Sequence, residues 1–196
     1  MKKYWLIICL FFSESLNGQV ISWSPEFPTI NDTITIIYNS SLGNGALINT
    51  NTIFAHTGVI NKYSSSNSDW KHIPIEWHEG GDSIIQLTSL GGGLFQMKFK
   101  IKPYYGISNN EETSCLNFVF RNDNGTLAGT KSDGSEFIIP IFKSSEIVRF
   151  TNPLEFPLLR NLGDNINVEI KSKQNGMINL FLDGQLISQN YGDSLV

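Results

Sequence analysis

The side chains that could recognise a ligand are concentrated between Phe54 and Gly81. This window holds all three histidines and two of the four tryptophans of the chain: His56, Trp70, His72, Trp77 and His78. Such rings combine a flat apolar face with a polar edge, so they can stack on a ligand and hydrogen-bond to it. The window is therefore the predicted ligand-recognition region.

Histidines and carboxylates at the end of this window raise the question of a metal site. They are His72, His78, Glu79 and Asp82. Their spacing matches none of the usual ligand patterns, and residues 78–82 have the composition of a turn between strands. We predict no metal ion and no other cofactor.

A neutral sugar suits these rings better. A glucosyl unit has an apolar C–H face and a rim of hydroxyls, so its site needs an aromatic platform with a few polar groups at the edge. His56 and Trp70 supply this combination, and Trp77 or Tyr63 could extend it. Each tryptophan also has an alternative interpretation as core or edge packing, because large aromatic residues dominate sandwich cores.

The charge of the chain argues against polyanionic partners. The formal net charge is −4 and only 16% of residues are charged, with acidic residues mostly scattered singly. The sequence offers no basic stripe for nucleic acid and no polybasic patch for a membrane surface. An uncharged ligand fits this balance best.

Catalysis is not expected within these 196 residues. A glycosidase needs two carboxylates at the floor of a cleft, whereas Glu111, Glu112, Asp133 and Glu136 fall on predicted loops or strand ends. The chain has no Gly-x-Ser-x-Gly elbow, and Gly91-Gly92-Gly93 lacks the Lys-Ser/Thr of a phosphate-binding loop.

The N-terminus has the pattern of a secretory signal peptide. Lys2 and Lys3 precede an apolar run ending at Phe12 that is too short to span a bilayer. A polar stretch follows, and we predict cleavage after Gly18. The protein is therefore expected to be secreted or placed on the cell surface, with no transmembrane segment.

Cysteine usage fits this interpretation. Cys9 leaves with the signal peptide, so the mature chain keeps only Cys115 and has no intramolecular disulfide. The apolar flanks of Cys115 predict a small buried hydrophobe rather than a reactive thiol.

Alternation of apolar and polar residues predicts an all-β protein. Three runs have one apolar face with a period of two: Ile34, Ile36 and Tyr38; Phe95, Met97, Phe99 and Ile101; Phe137, Ile139 and Ile141. Turn signals separate such runs at Gly43-Asn44-Gly45, Gly91-Gly92-Gly93, Asn124-Gly125 and Asp133-Gly134. Residues 109–113 could form a short turn of helix. The spacing predicts an antiparallel, immunoglobulin-like β-sandwich.

The strand pattern is interrupted near residues 144–157, which we interpret as a linker between a first domain at 19–143 and a second at 158–196. In the second, Ile166, Val168 and Ile170 are predicted to pair with Ile178, Leu180 and Leu182 across Asn175-Gly176, and Asp183-Gly184 to start another hairpin. An immunoglobulin-like domain needs ~100 residues. We therefore expect the chain to be an N-terminal fragment that stops within a second β-sandwich.

Motifs along the first domain carry a family resemblance over roughly residues 20 to 142. They occur in this order: Thr35-Ile36-Ile37-Tyr38, Phe54-Ala55-His56-Thr57-Gly58-Val59, Ser68-Asp69-Trp70-Lys71, Leu87-Thr88-Ser89-Leu90, Tyr104-Tyr105-Gly106-Ile107, Phe118-Val119-Phe120-Arg121-Asn122 and Asp133-Gly134-Ser135-Glu136-Phe137. The set resembles the N-terminal domain of secreted α-amylase-type glycosidases of Bacteroidetes. That domain is similar to the starch-binding modules of the twenty-fifth and twenty-sixth carbohydrate-binding families.

The resemblance implies a function and site residues. It implies that the domain binds an α-glucan such as starch, glycogen or a maltooligosaccharide, and that a catalytic glycoside hydrolase barrel follows in the same protein, beyond Val196. In these modules, a histidine of a His-Thr-Gly strand and a tryptophan after the next loop form part of the platform, which corresponds to His56 and Trp70. These modules commonly have a further tryptophan in a later loop, where this chain has Leu127. The third ring of the platform would then be supplied by Trp77 or Tyr63.

The sequence is therefore compatible with two classes of function. One is a non-catalytic α-glucan-binding module, and the other is a structural or adhesive pair of β-sandwich domains without glycan affinity. A flatter platform for a β-linked glycan is a variant of the first. Exposure discriminates between the two classes, because His56 and Trp70 side by side on an open surface favour glycan binding, whereas burial of Trp70 in the core favours a spacer.

Overall fold

The regular secondary structure of the described residues is almost entirely β, as predicted. A computed structural model describes residues 19–77, 82–145, 148–152, 161 and 163–196. The predicted signal peptide and the hypothesis about His78 and Glu79 lie outside these residues. The elements are β1 (Ile21–Ser24), β2 (Thr33–Asn39), β3 (Phe54–Asn61), β4 (Thr88–Gly91), β5 (Leu94–Lys100), α1 (Ile101–Tyr105), β6 (Thr113–Arg121), β7 (Ala128–Gly129), β8 (Phe137–Pro140), β9 (Val148–Asn152), β10 (Glu169–Leu182) and β11 (Gln185–Leu195).

Two antiparallel sheets make up the first domain. One has the strand order β1-β2-β5-β4, and the other is built on β3 and β6, with β7 and β8 also pairing with β6. Ile34, Ile36 and Tyr38 of β2 are fully buried. Tyr38 reaches across to Phe120 of β6, with the ring centroids 4.0 Å apart and nearly parallel. The sheets thus bury their alternating apolar faces against each other, as in a sandwich.

A third sheet, with the order β11-β10-β9, forms the second unit. Its own buried cluster is small and consists of Ile170, Ile178 and Leu195. Strand β9 begins at Val148, inside the segment predicted as a linker, and pairs with the start of β10. No helix in the described ranges is long and apolar enough to cross a bilayer.

The predicted hairpin at Asn175-Gly176 is wrong. Both residues lie within β10, and Gly176 pairs with Gly192 of β11. Its φ is not among the positive values that a two-residue hairpin requires, and the register shifts between Lys171 and Gly176, so the pair marks a bulge instead. Ile166 and Val168 precede the strand rather than pairing across it.

The second predicted hairpin is confirmed. Asp183 and Gly184 have φ values of 49° and 81°, and they connect β10 to β11. Both values lie in the left-handed region required by tight hairpin turns.

Helical structure also differs from the prediction. Ile101, expected at the end of a strand, begins α1, which ends at Gly106 in the left-handed conformation. Five residues are too few to show a helical period in the sequence. The turn of helix considered at residues 109–113 does not form: residues 109–110 lie in a turn, 111–112 have no regular structure, and Thr113 begins β6.

Candidate functional site

The outer face of the β3–β6 pair carries the candidate site. Ala55, Thr57 and Val59 of β3 point into the core and are essentially buried. The alternate residues therefore face outward. Register places them in rows with β6: Phe54 opposite Arg121, His56 opposite Val119, and Gly58 opposite Asn117.

The three residues of the His-Thr-Gly motif differ in orientation and in their contacts. His56 faces outward, while the Thr57 hydroxyl points inward and donates to the carbonyl of Asn117 at 2.7 Å, and lies 2.5 Å from the Tyr105 hydroxyl. Gly58 leaves room for the chain above it. A Cβ at this position would lie 3.0 Å from the Cβ of Trp70 and 3.1 Å from the carbonyl oxygen of Lys71.

Residues 62–77, which we name the covering loop, follow β3, reach its outer face at Asn67 and Trp70, and pair with its edge at Lys71. Backbone hydrogen bonds of 2.9 and 2.8 Å join Val59 and Lys71 in both directions. The Asn117 side-chain amide donates to the carbonyl of Asn67 at 3.0 Å. The loop is thus fixed to β3 on one side of Trp70 and to β6 on the other.

Asp69 organises the part of the loop before Trp70. Its carboxylate accepts hydrogen bonds from the Ser65 backbone at 2.8 Å and the Ser65 hydroxyl at 3.0 Å. The ammonium of Lys71 lies 2.6 Å away. The Lys71 hydrogen bond, followed by those from Ser65, lowers the pKa of Asp69 to about 2. The residue is therefore ionised wherever the protein is folded near neutral pH.

His56, Trp70 and Trp77 come together as an aromatic cluster. The His56 ring stacks on Trp70 with a centroid distance of 5.3 Å and an interplanar angle of 27°. The His56 ring also contacts Trp77 edge to face, with the ring centroids 5.1 Å apart and an interplanar angle of 86°. All three are partly exposed, and neither tryptophan belongs to the buried core. This placement argues against Trp70 and Trp77 as core residues, and packing at the edge of the sandwich stays the alternative to ligand binding.

Burial governs the charge of the cluster. Desolvation lowers the pKa of His56 below its ordinary 6.5, and the nearby Arg121 charge acts in the same direction. The backbone of Ile75 and the carboxylate of Glu76 oppose this shift without reversing it. The imidazole is therefore neutral at neutral pH, and the rings offer an uncharged surface for stacking.

The back of Trp77 is supported by residues that were not predicted. A Cβ on Gly125 would lie 3.0 Å from Trp77 Nε1, and Gly125 has a φ of 67°. Arg121 is fully buried, with Cζ 5.9 Å from the Trp77 ring centroid. It donates to the carbonyls of Asn122 and Asp123 at 3.1 and 2.7 Å. Arg121 thus holds both Trp77 and the turn against which Trp77 packs.

The turn at residues 122–127 lacks an aromatic residue, as noted from the sequence, yet it borders the cluster. It packs against Trp77 through Gly125. Its polar side chains form an internal network, in which the Asn122 amide donates to the Thr126 hydroxyl at 3.0 Å and that hydroxyl donates to Asn124 at 2.7 Å. The turn therefore has amide and hydroxyl groups on both sides of Gly125, the residue that packs against Trp77.

The other candidate side chains lie elsewhere. Tyr63 follows the far end of β3, is 68% exposed, and has its ring beneath the ammonium of Lys62. Among the described residues, no ring contact joins it to the cluster. His72 Nε2 lies 2.7 Å from Glu111 Oε1, so it ties the covering loop to the segment before β6.

Metal ligands and the Cys115 thiol are the other reactive groups that the sequence pointed to. No group of three potential metal ligands occurs in the described part of the chain, a search that leaves out His78 and Glu79. Cys115 is buried, as predicted, and desolvation raises its pKa to about 12. Its thiol is protonated and unreactive at neutral pH.

Only long-range contacts could have identified Arg121 and Gly125. Arg121 ends an apolar strand and Gly125 belongs to an Asn-Gly turn, and neither local pattern points to Trp77. Comparison with known proteins adds no further guide, because no protein-family model and no curated protein matches this chain.

Proposed function

We propose that the first domain, residues 19–143, is a non-catalytic carbohydrate-binding module for starch or another α-glucan. The observation that carries the proposal is the aromatic cluster, in which His56 lies between Trp70 and Trp77 at centroid distances of 5.3 and 5.1 Å on a partly exposed face. Neutral rings with amides and hydroxyls at their edge match the C–H face and hydroxyl rim of a glucosyl unit.

The size of the cluster predicts weak binding. Each aromatic contact adds about 0.5–1.5 kcal/mol beyond the area that it buries. Two or three such contacts add about 1–4.5 kcal/mol, and together with the burial of the sugar face they match a dissociation constant on the order of 10 μM to 1 mM. Weak binding suffices when the module is linked to a catalytic domain, because linkage raises the local concentration of the polymer.

The proposal extends to the protein as a whole. A module of this kind serves a secreted or surface-bound α-amylase-type glycoside hydrolase, whose catalytic barrel follows the second β-domain and is held on the polysaccharide by residues 19–143. The supporting observations are the signal-peptide pattern and the order of the motifs in the first domain.

Affinity electrophoresis of the whole chain in gels with and without soluble starch tests the function. The wild type should be retarded by starch, and Trp70→Ala should lose that retardation. Tyr191→Ala is a suitable control, because Tyr191 is 72% exposed on β11, outside the first domain. Thermal unfolding monitors the fold of each variant.

The outcomes separate the candidate functions. Retardation that Trp70→Ala abolishes and Tyr191→Ala preserves supports an α-glucan module with its platform at the cluster. A folded wild type that starch does not retard contradicts the proposal. Retardation by a β-linked glucan alone would assign the platform to another glycan.

A structural spacer is the second candidate, and one feature of the second unit favours it. Met177, Phe181 and Tyr191 of the β10–β11 hairpin are more than half exposed. Exposed apolar groups on a sheet are common where it packs against another protein unit. A spacer would keep the fold of the first domain without retardation by any glucan.

A further inference from the structure

A groove of about 380 Å³ lies at the edge of the first sheet, and none of its lining residues belongs to the aromatic cluster. The side chains that matter for its chemistry are Gln86, Thr88, Gln96, Lys98, Phe99 and Tyr104. Its volume falls within the range of small-molecule sites. The cluster, by contrast, lies on the outer face of the second sheet.

The groove exists because the chain leaves one sheet for the other. Strand β4 pairs with β5 only from Thr88, which lies opposite Gln96. Just before that point, Gln86 forms a bridge with Phe54 of β3, and Leu87 donates its N–H to the carbonyl of Ile53. The two segments diverge, and the second half of β5 borders an open space.

One wall of the groove is aromatic and held in place. The Tyr104 ring stacks on Phe99 with centroids 4.1 Å apart at 29°, and its edge meets Tyr105 at 4.9 Å. The Tyr104 hydroxyl donates to the carbonyl of Ile84 at 3.2 Å. Stacking and hydrogen bonding together fix this ring before any ligand arrives, which lowers the entropy cost of binding.

The remaining lining is polar and mostly uncharged. Thr88 and Gln96 are directly opposite each other, so their side chains lie on the same face of the sheet. Gln86 adds a second amide from the diverging segment. An amide both donates and accepts hydrogen bonds, as sugar hydroxyls do. The groove therefore has an aromatic wall on the core side of β5 and amides on the opposite side, and both border the same open edge of the strand.

We propose that this groove is a second binding site for a neutral oligosaccharide, independent of the aromatic cluster. The choice of an α-glucan as its ligand rests on the proposed function. A module with contact sites on two sheets binds a polymer more tightly than a short oligosaccharide, because the second contact is intramolecular once the first has formed.

NMR titration of the whole chain with maltotriose tests the proposal. Backbone and side-chain amide signals of Gln86 and Gln96 report on the groove, and the Trp70 indole signal reports on the cluster. Both sets should shift, with separate saturation curves.

The double variant Gln86→Ala, Gln96→Ala should lower the affinity of the groove for maltotriose by about tenfold, because each lost hydrogen bond contributes only a modest net free energy. In this variant, the remaining groove signals, such as that of Thr88, are followed.

A matched control uses the same change of residue type elsewhere. Gln185 and Gln189 are exposed on β11, and the double variant Gln185→Ala, Gln189→Ala should leave both saturation curves unchanged. Shifts confined to the Trp70 indole would overturn the second site and leave the proposed function intact. A lack of shifts at either place in folded protein would overturn both. Shifts confined to the groove would support this site and remove the cluster from the proposed function.

Discussion

Gly58 sets the distance between the covering loop and β3. Replacement by alanine would put a methyl group 3.0 Å from the Cβ of Trp70 and 3.1 Å from the carbonyl oxygen of Lys71. Because the loop is hydrogen-bonded to β3 and β6, it must shift as a unit. We expect Gly58→Ala to lower the free energy of unfolding by about 1–3 kcal/mol, as overpacking does, and to weaken starch retardation by displacing Trp70.

Urea unfolding and affinity electrophoresis together measure this effect. Gly176→Ala is the control, since a Cβ on Gly176 meets no atom within 4 Å. If Gly58→Ala retained both wild-type stability and wild-type retardation, contact between Gly58 and the loop would not determine the position of Trp70.

His56 gives the protein a predictable response to pH. Its folded-state pKa is lowered from the ordinary 6.5 chiefly by burial. When the pH falls below 6.5, the unfolded chain takes up a proton more readily than the folded chain, so stability decreases. The loss is complete once the pH is below the folded-state pKa. Well above pH 6.5, the imidazole is neutral in both states, so this residue makes no pH-dependent contribution.

Replacing His56 by glutamine removes that contribution. The urea midpoint of the wild type should fall between about pH 8 and pH 5 more steeply than that of His56→Gln. The comparison between the two proteins cancels the titration of the other groups. Equal slopes for both would mean that His56 is not desolvated in the folded protein.

At the scale of elements, two Asn/Asp-Gly pairs with similar local sequence have different structural roles. Gly184 has a φ of 81° in the β10–β11 turn, whereas Gly176 lies within β10 without a positive φ. Gly176→Thr should therefore stabilise the hairpin by about 0.5–1 kcal/mol, because threonine favours an extended backbone. Gly184→Thr should destabilise it by roughly 1–3 kcal/mol, since threonine is strained at positive φ.

Hydrogen exchange of the β10 and β11 amides gives the opening free energy that these substitutions change. The two variants carry the same new side chain, so a difference in sign isolates the backbone conformation. Destabilisation of equal size by both would indicate that Gly176 occupies a turn after all.

These two glycines also show how far the sequence predicts the structure. Alternation identified the apolar faces of β2, β5 and β8, because burial on one face has a period of two. An Asn-Gly pair, however, is compatible with a turn or a bulge, and the cross-strand partner decides between them. The Asn175-Gly176 prediction failed for this reason, whereas Asp183-Gly184 succeeded.

The same limit applies to the candidate site. His56, Trp70 and Trp77 were identified because they are rare residue types close together in sequence. Tyr63 was predicted only as an alternative third ring of the platform, and it follows the other end of β3. Arg121 and Gly125 come into contact with the site through the pairing of β6 with β3, so no local pattern identifies them.

At the scale of the whole molecule, the two units differ in how much apolar surface they bury. The first domain has a continuous core to which both of its sheets contribute. The third sheet has a buried cluster of Ile170, Ile178 and Leu195, while Phe181 and Leu186 of its hairpin are at least half exposed. The free energy needed to open a segment locally increases with the apolar surface that the segment buries. The second unit should therefore open more readily than the first.

Native-state hydrogen exchange of the whole chain measures this difference directly. The opening free energy of core amides in β3 and β6 should be close to the global free energy of unfolding. That of amides in β10 and β11 should be lower by roughly 2 kcal/mol or more. Lys171 and Glu26 form an ion pair between the units, but both side chains are substantially exposed, so this pair adds little coupling. Arg149 and Lys173 of the third sheet also donate to first-domain carbonyls and lie over the Phe142 ring, so the difference in opening free energy is what remains after these contacts. Equal opening free energies in all four strands would instead require the two units to unfold together, and the hairpin would then gain its stability from the first domain.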